Sequence, residues 1–172
     1  MNDPLPTTEL RVGALELRLN SEGDAAATDE GLFMEGVRLL GRYGWRFLDD
    51  EAVRVVASEQ LSDLELRSSS TLGEELVLIE RQLKMRPDGL SEHLELSNPT
   101  GVRRSITFEF ELHAGGLNSA RVQGQQLIVG ACGHELRLSF DALAAVRPDG
   151  ADWELSLAPG ERVSATLLLT VA

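Results

Sequence analysis

Arg81 and Glu92 are charged residues at positions where a strand pattern calls for apolar ones. They flank Pro87-Asp88-Gly89 in the stretch IERQLKMRPDGLSEHLEL, residues 79–96. Side chains alternate across a strand, so Val77, Ile79, Leu83 and Met85 share a face with Arg81, and Leu90, Leu94 and Leu96 share one with Glu92. A guanidinium and a carboxylate so placed have two uses. They can bind or protonate a ligand in a cleft, or they can hold two strands in register from inside. A Pro-Asp-Gly turn with a left-handed glycine brings Arg81 across from Glu92 or one diagonal away, and the pair is read as a structural ion pair. Its main effect is to disfavour a one-residue slip, which would turn both charges to the other face.

Other reactive side chains are weaker candidates. Cys132 followed by His134 invites a thiolate–imidazole reading. Cys132 is the only cysteine, though, and lies between Ala131 and Gly133, where a buried, inert thiol is expected. One cysteine also excludes an internal disulfide and any multi-thiolate zinc site, and His93, His113 and His134 are read as scattered surface residues, so no metal or cofactor is expected. Gly115-Gly116 and Gly130-Ala131-Cys132-Gly133 lack the lysine and helix start of a phosphate loop and are read as hairpin or bulge glycines. Glu109, Glu111, Glu135 and Glu154 alternate with apolar neighbours and should face solvent. No catalytic residue is assigned.

Amphipathic aromatics with nearby cations form the remaining constellation. Arg38, Arg42, Tyr43 and Trp45 lie in a glycine-rich segment and are read as a docking or glycan-facing surface, since ring faces stack on sugar C–H groups. Trp153 alternates with Leu155 and Leu157 and is read as core.

The elements that position these residues are strands. Period-two alternation marks Leu15, Leu17 and Leu19, then Leu64 and Leu66, then Ile106, Phe108, Phe110 and Leu112. It returns at Leu136, Leu138 and Phe140, at Trp153, Leu155 and Leu157, and from Val163 to Val171. Proline-bearing turns at Asn98-Pro99-Thr100-Gly101, Arg147-Pro148-Asp149-Gly150 and Ala158-Pro159-Gly160-Glu161 separate them. One or two short helical turns are expected: a short turn or irregular crossing over residues 31–45, and a capped turn over residues 141–146. The polar run 20–30 reads as a mobile loop. The expected architecture is all-β: one antiparallel, supersandwich-like β-sandwich domain over residues 1–172.

Composition narrows the partners. A net charge of -12 with a single lysine repels phosphate backbones and anionic lipid, so neither nucleic acid nor membrane is expected. The N-terminus has no basic region leading an apolar core, so no secretory signal is expected and a cytoplasmic location is the default.

Read in order, GLFMEGVRLL, ELVLIERQLKMRPDGLSEHLELSNPT, ITFEFELHAGGL, ARVQG and LAPGERVSATLLLTV resemble the N-terminal domain of bacterial glycogen debranching enzymes of the amylo-α-1,6-glucosidase type. The resemblance runs over about residues 15–172. Its motif positions fall on Gly31-Leu32-Phe33, Arg38 and Leu40; on Glu80-Arg81, Gly89, Glu92, Leu94, Leu96 and Asn98; and on Leu157, Pro159, Gly160 and Glu161. Gly36 and Val37 stand where the family has aspartate and threonine. The resemblance implies a β-sandwich followed by a larger (α/α) barrel that carries two hydrolytic carboxylates. With no barrel in these residues, the expected role is a non-catalytic accessory domain. It would pack against a glycoside hydrolase barrel, in cis or in trans, and help shape α-glucan binding. The alternative is an independent sandwich that binds carbohydrate or protein by itself.

Overall fold

In the computed structural model the described residues are 7–20, 23–25, 27, 29–48, 53–73, 77–114 and 117–172. The Gly115-Gly116 reading lies outside them. Fifteen strands follow one another: β1 (Thr8–Val12), β2 (Leu15–Leu19), β3 (Gly31–Met34), β4 (Val37–Phe47), β5 (Val53–Ser62), β6 (Glu65–Leu72), β7 (Val77–Arg86), β8 (Gly89–Ser97), β9 (Arg104–Ala114), β10 (Leu117–Gln123), β11 (Gln126–Ala131), β12 (His134–Phe140), β13 (Ala145–Arg147), β14 (Gly150–Leu157) and β15 (Arg162–Val171). Seven form one sheet in the order β1-β2-β3-β4-β9-β14-β13, and eight form the other, β10-β11-β12-β15-β8-β7-β6-β5. Every strand pairing is antiparallel.

Alternation explains the layering. Inward residues such as Leu15, Leu17, Leu94, Leu96, Phe108 and Leu138 are essentially solvent-free and meet in one core between the sheets. Trp153 is buried there as expected, stacked on Phe108 with ring centroids 5.2 Å apart and planes 4° from parallel. Such a pair contributes about 0.5–1.5 kcal/mol beyond its buried area.

Both expected helical turns are absent; the described residues contain no helix. Residues 31–45 form the β3–β4 hairpin, turned at Glu35 and Gly36 with φ of 50° and 81°. The register shifts between Leu40 and Arg42, and the irregularity buries Leu39 and Leu40 together, imitating helical spacing. Residues 141–146 hold a single reverse turn before β13. Asp141 Oδ1 accepts the Leu143 amide at 2.8 Å, and the Asp141 carbonyl accepts the Ala144 amide at 3.3 Å. The run 20–30 is tied down at its described centre. Ala25, 1% exposed, bridges Tyr43 through amide-to-carbonyl bonds of 2.8 and 3.1 Å.

The sequence Arg-Pro-Asp-Gly occurs twice, once in each sheet, at residues 86–89 and 147–150. In both, Pro and Asp make the turn and Gly opens the next strand. At Gly89 φ is 157°, a positive value that L side chains rarely adopt, so the turn uses the conformational freedom of glycine. Space is a second requirement: a Cβ on Gly89 would lie 1.9 Å from the Leu169 carbonyl oxygen, and one on Gly150 would lie 1.8 Å from that of Phe110.

Candidate functional site

β4 delivers its side chains to two opposite environments. Tyr43, Trp45 and Phe47 point toward the other sheet, while Arg42 and Arg46 point outward. On the facing sheet, Arg81 of β7 and Glu92 of β8 point inward. Register places Leu83 opposite Glu92 and Arg81 opposite Leu94, so the two charges are diagonal neighbours.

They meet. Arg81 Nε donates to Glu92 Oε1, and Trp45 Nε1 donates to the same oxygen at 2.8 Å. Tyr43 donates its hydroxyl to Glu92 Oε2. Arg81 Nη1 reaches on to Asp24 Oδ1 at 2.8 Å. Glu92 is 2% exposed and Arg81 7%, so a carboxylate sits inside the sandwich, gripped by donors from both sheets.

Local structure explains the delivery of Asp24. Its amide donates to Asn20 Oδ1 at 3.0 Å and its carbonyl accepts the Asn20 amide at 2.7 Å, while the Ala25–Tyr43 bridge fixes the next residue. The side chain then passes over Gly44, where a Cβ would come within 2.9 Å of Asp24 Cγ.

The electrostatics follow from burial. Burial raises the Asp24 pKa above its ordinary 3.8, against the pull of Arg81. Burial also lifts the Tyr43 pKa well above 10.0, and the Glu92 charge adds to it. Burial alone would lower the Arg81 pKa, but Glu92 and Asp24 outweigh it, and the guanidinium stays charged. A carboxylate whose oxygens already accept from Arg81, Trp45 and Tyr43 is an internal anchor, not a free acid or base.

Two hollows adjoin this cluster. One of about 100 Å³ is lined by Asp24, Trp45, Arg81 and the inward serines Ser68 and Ser70. The other, about 180 Å³, lies among Asp24, Arg42, Trp45, Arg46 and Glu111.

The residues expected to form one docking surface are therefore divided. Tyr43 is 0% exposed and belongs to the interior cluster. Trp45 is half-buried, packed on Trp153 at 5.2 Å with its indole N–H turned to Glu92. Arg42 lies outside, 3.7 Å from Glu111, and Arg38 donates to the carbonyls of Ala27 and Gly41 at 2.6 and 2.7 Å.

Two further expectations change. Glu109 does lie on the outer face, but Arg46 and Arg147 cover it, with Arg147 Nη2 at 2.8 Å, and it is only 6% exposed. Cys132 is exposed. It occupies the apex of the β11–β12 hairpin with φ of 51°, its thiol 3.6 Å from the Arg38 carbonyl. His93 and His113 are exposed and His134 is half-buried, and the described residues hold no group of three His, Cys, Asp or Glu able to bind a metal. No helix among them is long and apolar enough to cross a membrane.

Sequence reasoning missed Asp24 and the inward hydroxyl of Tyr43. Asp24 sits in a polar run without periodicity. Tyr43 carried a usable signal: it lies two residues from Trp45 and two from Gly41, the spacing of one strand face.

The fold defines a class of protein, the two-sheet β-sandwich. A crystal structure from Escherichia coli K12, provisionally assigned as an aldose 1-epimerase, superposes with a TM-score of 0.70 at 11% identity, covering 97% of this chain and 99% of that one. At that identity the likeness shows the fold alone. No curated protein matches the chain. Residues 10–126 match the family described as the N-terminal domain of some glycogen debranching enzymes, and the chain belongs to that family. The match contains the whole interior cluster, Asp24, Tyr43, Trp45, Arg81 and Glu92.

Proposed function

We propose that the chain is a non-catalytic accessory domain of a debranching enzyme of the amylo-α-1,6-glucosidase type. It packs against a glycoside hydrolase barrel, in cis or in trans, and helps shape α-glucan binding. The observation that carries this reading is the family match over residues 10–126. The interior chemistry supports it. The buried Arg81–Glu92 site is committed to holding the sheets together, and its neighbour Asp24 is bound to Arg81, so this cluster offers no free carboxyl pair of the glycosidase kind.

The test is capture of a barrel-type glucosidase from the same organism by the purified chain, together with an assay of reducing-sugar release from glycogen. Stable capture without hydrolysis by the chain alone is expected. Hydrolysis by the chain alone, or failure to bind any such barrel when the two are expressed together, overturns the reading.

A further inference from the structure

The outer face of the eight-stranded sheet carries a second arrangement of polar groups, behind the interior cluster, whose Glu92 and Arg81 also border its hollows. Two hollows of about 310 and 270 Å³ lie side by side across β6, β7, β8, β15 and β12, sharing Gln82 and His93. The first is bordered by Lys84, Ser91, Ser139 and Thr166, the second by Arg67, Glu80 and Glu95. The first is at the lower end of small-ligand site sizes, and together they make one trough.

Strand register fixes the floor of this trough. Gln82 lies opposite His93, and His93 opposite Thr166. Glu80 lies directly opposite Glu95. Like charges in that relation destabilise a sheet. Ser69 Oγ donates to Glu80 Oε2 at 2.8 Å and Arg162 approaches Glu95 only to 3.5 Å, so neither carboxylate is enclosed by donors as Glu92 is. Both retain lone pairs for a hydroxyl-bearing ligand.

Charge selects among ligands. The trough sets Arg67 and Lys84, which also lie 3.7 and 3.9 Å from Glu65, against Glu80 and Glu95, so cations and carboxylates are mixed on a chain whose net charge is -12. The opposed carboxylates repel phosphates and other polyanions, and the cations disfavour polycations. What fits is a neutral molecule rich in hydroxyls, with vicinal diols donating to the two carboxylates and accepting from Gln82 and Arg67. Phe140 borders the first hollow but is only 7% exposed and offers little ring face for stacking, so binding is weak.

We propose that this trough binds a short segment of neutral α-glucan. The identity of the glycan rests on the accessory-domain reading above; the preference for a neutral polyhydroxyl ligand rests on the trough alone.

The experiment is an amide NMR titration of the chain with maltotetraose, repeated on Glu80→Gln, Glu95→Gln and His93→Ala. Shifts confined to β6, β7, β8, β12 and β15 are expected, with affinity falling about fivefold or more in each variant, the scale of one lost hydrogen bond. Glu80→Gln and Glu95→Gln relieve a repulsion and leave the fold intact, so lost binding in them cannot come from unfolding. No shifts, shifts on the seven-stranded sheet, or unchanged affinity in all three variants overturns the proposal. Barrel capture with a silent titration rejects the trough alone, and trough shifts without barrel capture reject the accessory reading alone.

Discussion

One strand, β4, shows what burial does to the same chemistry. Its inward face sends Tyr43 and Trp45 to Glu92, and its outward face sends Arg46 to Glu109. Each carboxylate is nearly hidden, at 2% and 6% exposure. Their partners are not alike. Arg81 is buried with Glu92, whereas the Arg46 side chain is 59% exposed. Water can replace a lost partner of Glu109 more readily than one of Glu92, whose side chain is 0% exposed and whose guanidinium partner is buried with it. The inner charge therefore ties the sheets together with every donor required, while the outer one gives a screened and replaceable contact.

The largest test of this contrast is removal of one interior partner. Glu92→Leu leaves Arg81, the Tyr43 hydroxyl and the Trp45 N–H facing an apolar side chain, and Arg81→Met leaves a buried carboxylate. Each is expected to cost about 3–5 kcal/mol in urea unfolding. The double variant should cost much less than the sum; additive losses would mean that the two charges act independently.

Next is the backbone. Gly89→Ala and Gly150→Ala both drive a Cβ against a neighbouring strand's carbonyl, and each should cost more than the roughly 1 kcal/mol of an ordinary glycine change. Gly124→Ala, where nothing lies within 4 Å, is the matched control. Equal melting points for the three variants would reject close approach as the role of the repeated Arg-Pro-Asp-Gly turn.

Tyr43→Phe removes one buried donor and should cost about 1–3 kcal/mol. Tyr43 is the only tyrosine, so tyrosinate absorbance reports it alone. Its pKa is raised in the folded state by burial and by Glu92. The folded protein thus holds this proton more tightly than the unfolded chain does, a stabilisation complete below pH 10.0 and lost as pH rises through the folded-state value. Tyrosinate should appear only together with loss of tertiary structure. Ionisation of an intact fold near pH 10.0 would place Tyr43 in contact with water.

The smallest effect belongs to the outer face. Arg46→Ala should change stability by less than about 1 kcal/mol, and the change should shrink further in high salt. A loss comparable to that of Arg81→Met would erase the distinction between the two faces.

Legibility followed periodicity. β2, β9, β12 and β14 alternate without interruption, β15 does so except at Leu168, and their inward residues could be named from the sequence. β3 and β4 could not, because the bulge near Leu40 puts Leu39 and Leu40 on the buried side together and breaks the period of two. β5 carries few inward apolar residues, and nearly all of it is exposed, so burial left little imprint on it. Cys132 was misplaced because a small residue between Ala131 and Gly133 reads equally as core or as turn, and the left-handed φ that decides it is a backbone property.

The sequence alone determined the all-β class, the antiparallel hairpins and the inward direction of Arg81 and Glu92, because these depend on neighbours in the chain and on a period of two. Family motifs within residues 10–126 likewise survive as local patterns. Only the tertiary structure decided what those inward charges touch. Tyr43 and Trp45 belong to the other sheet, and Asp24 comes from a polar run pinned by Ala25. The partners of a buried charge depend on which strands are stacked across the core, and no local spacing encodes that stacking.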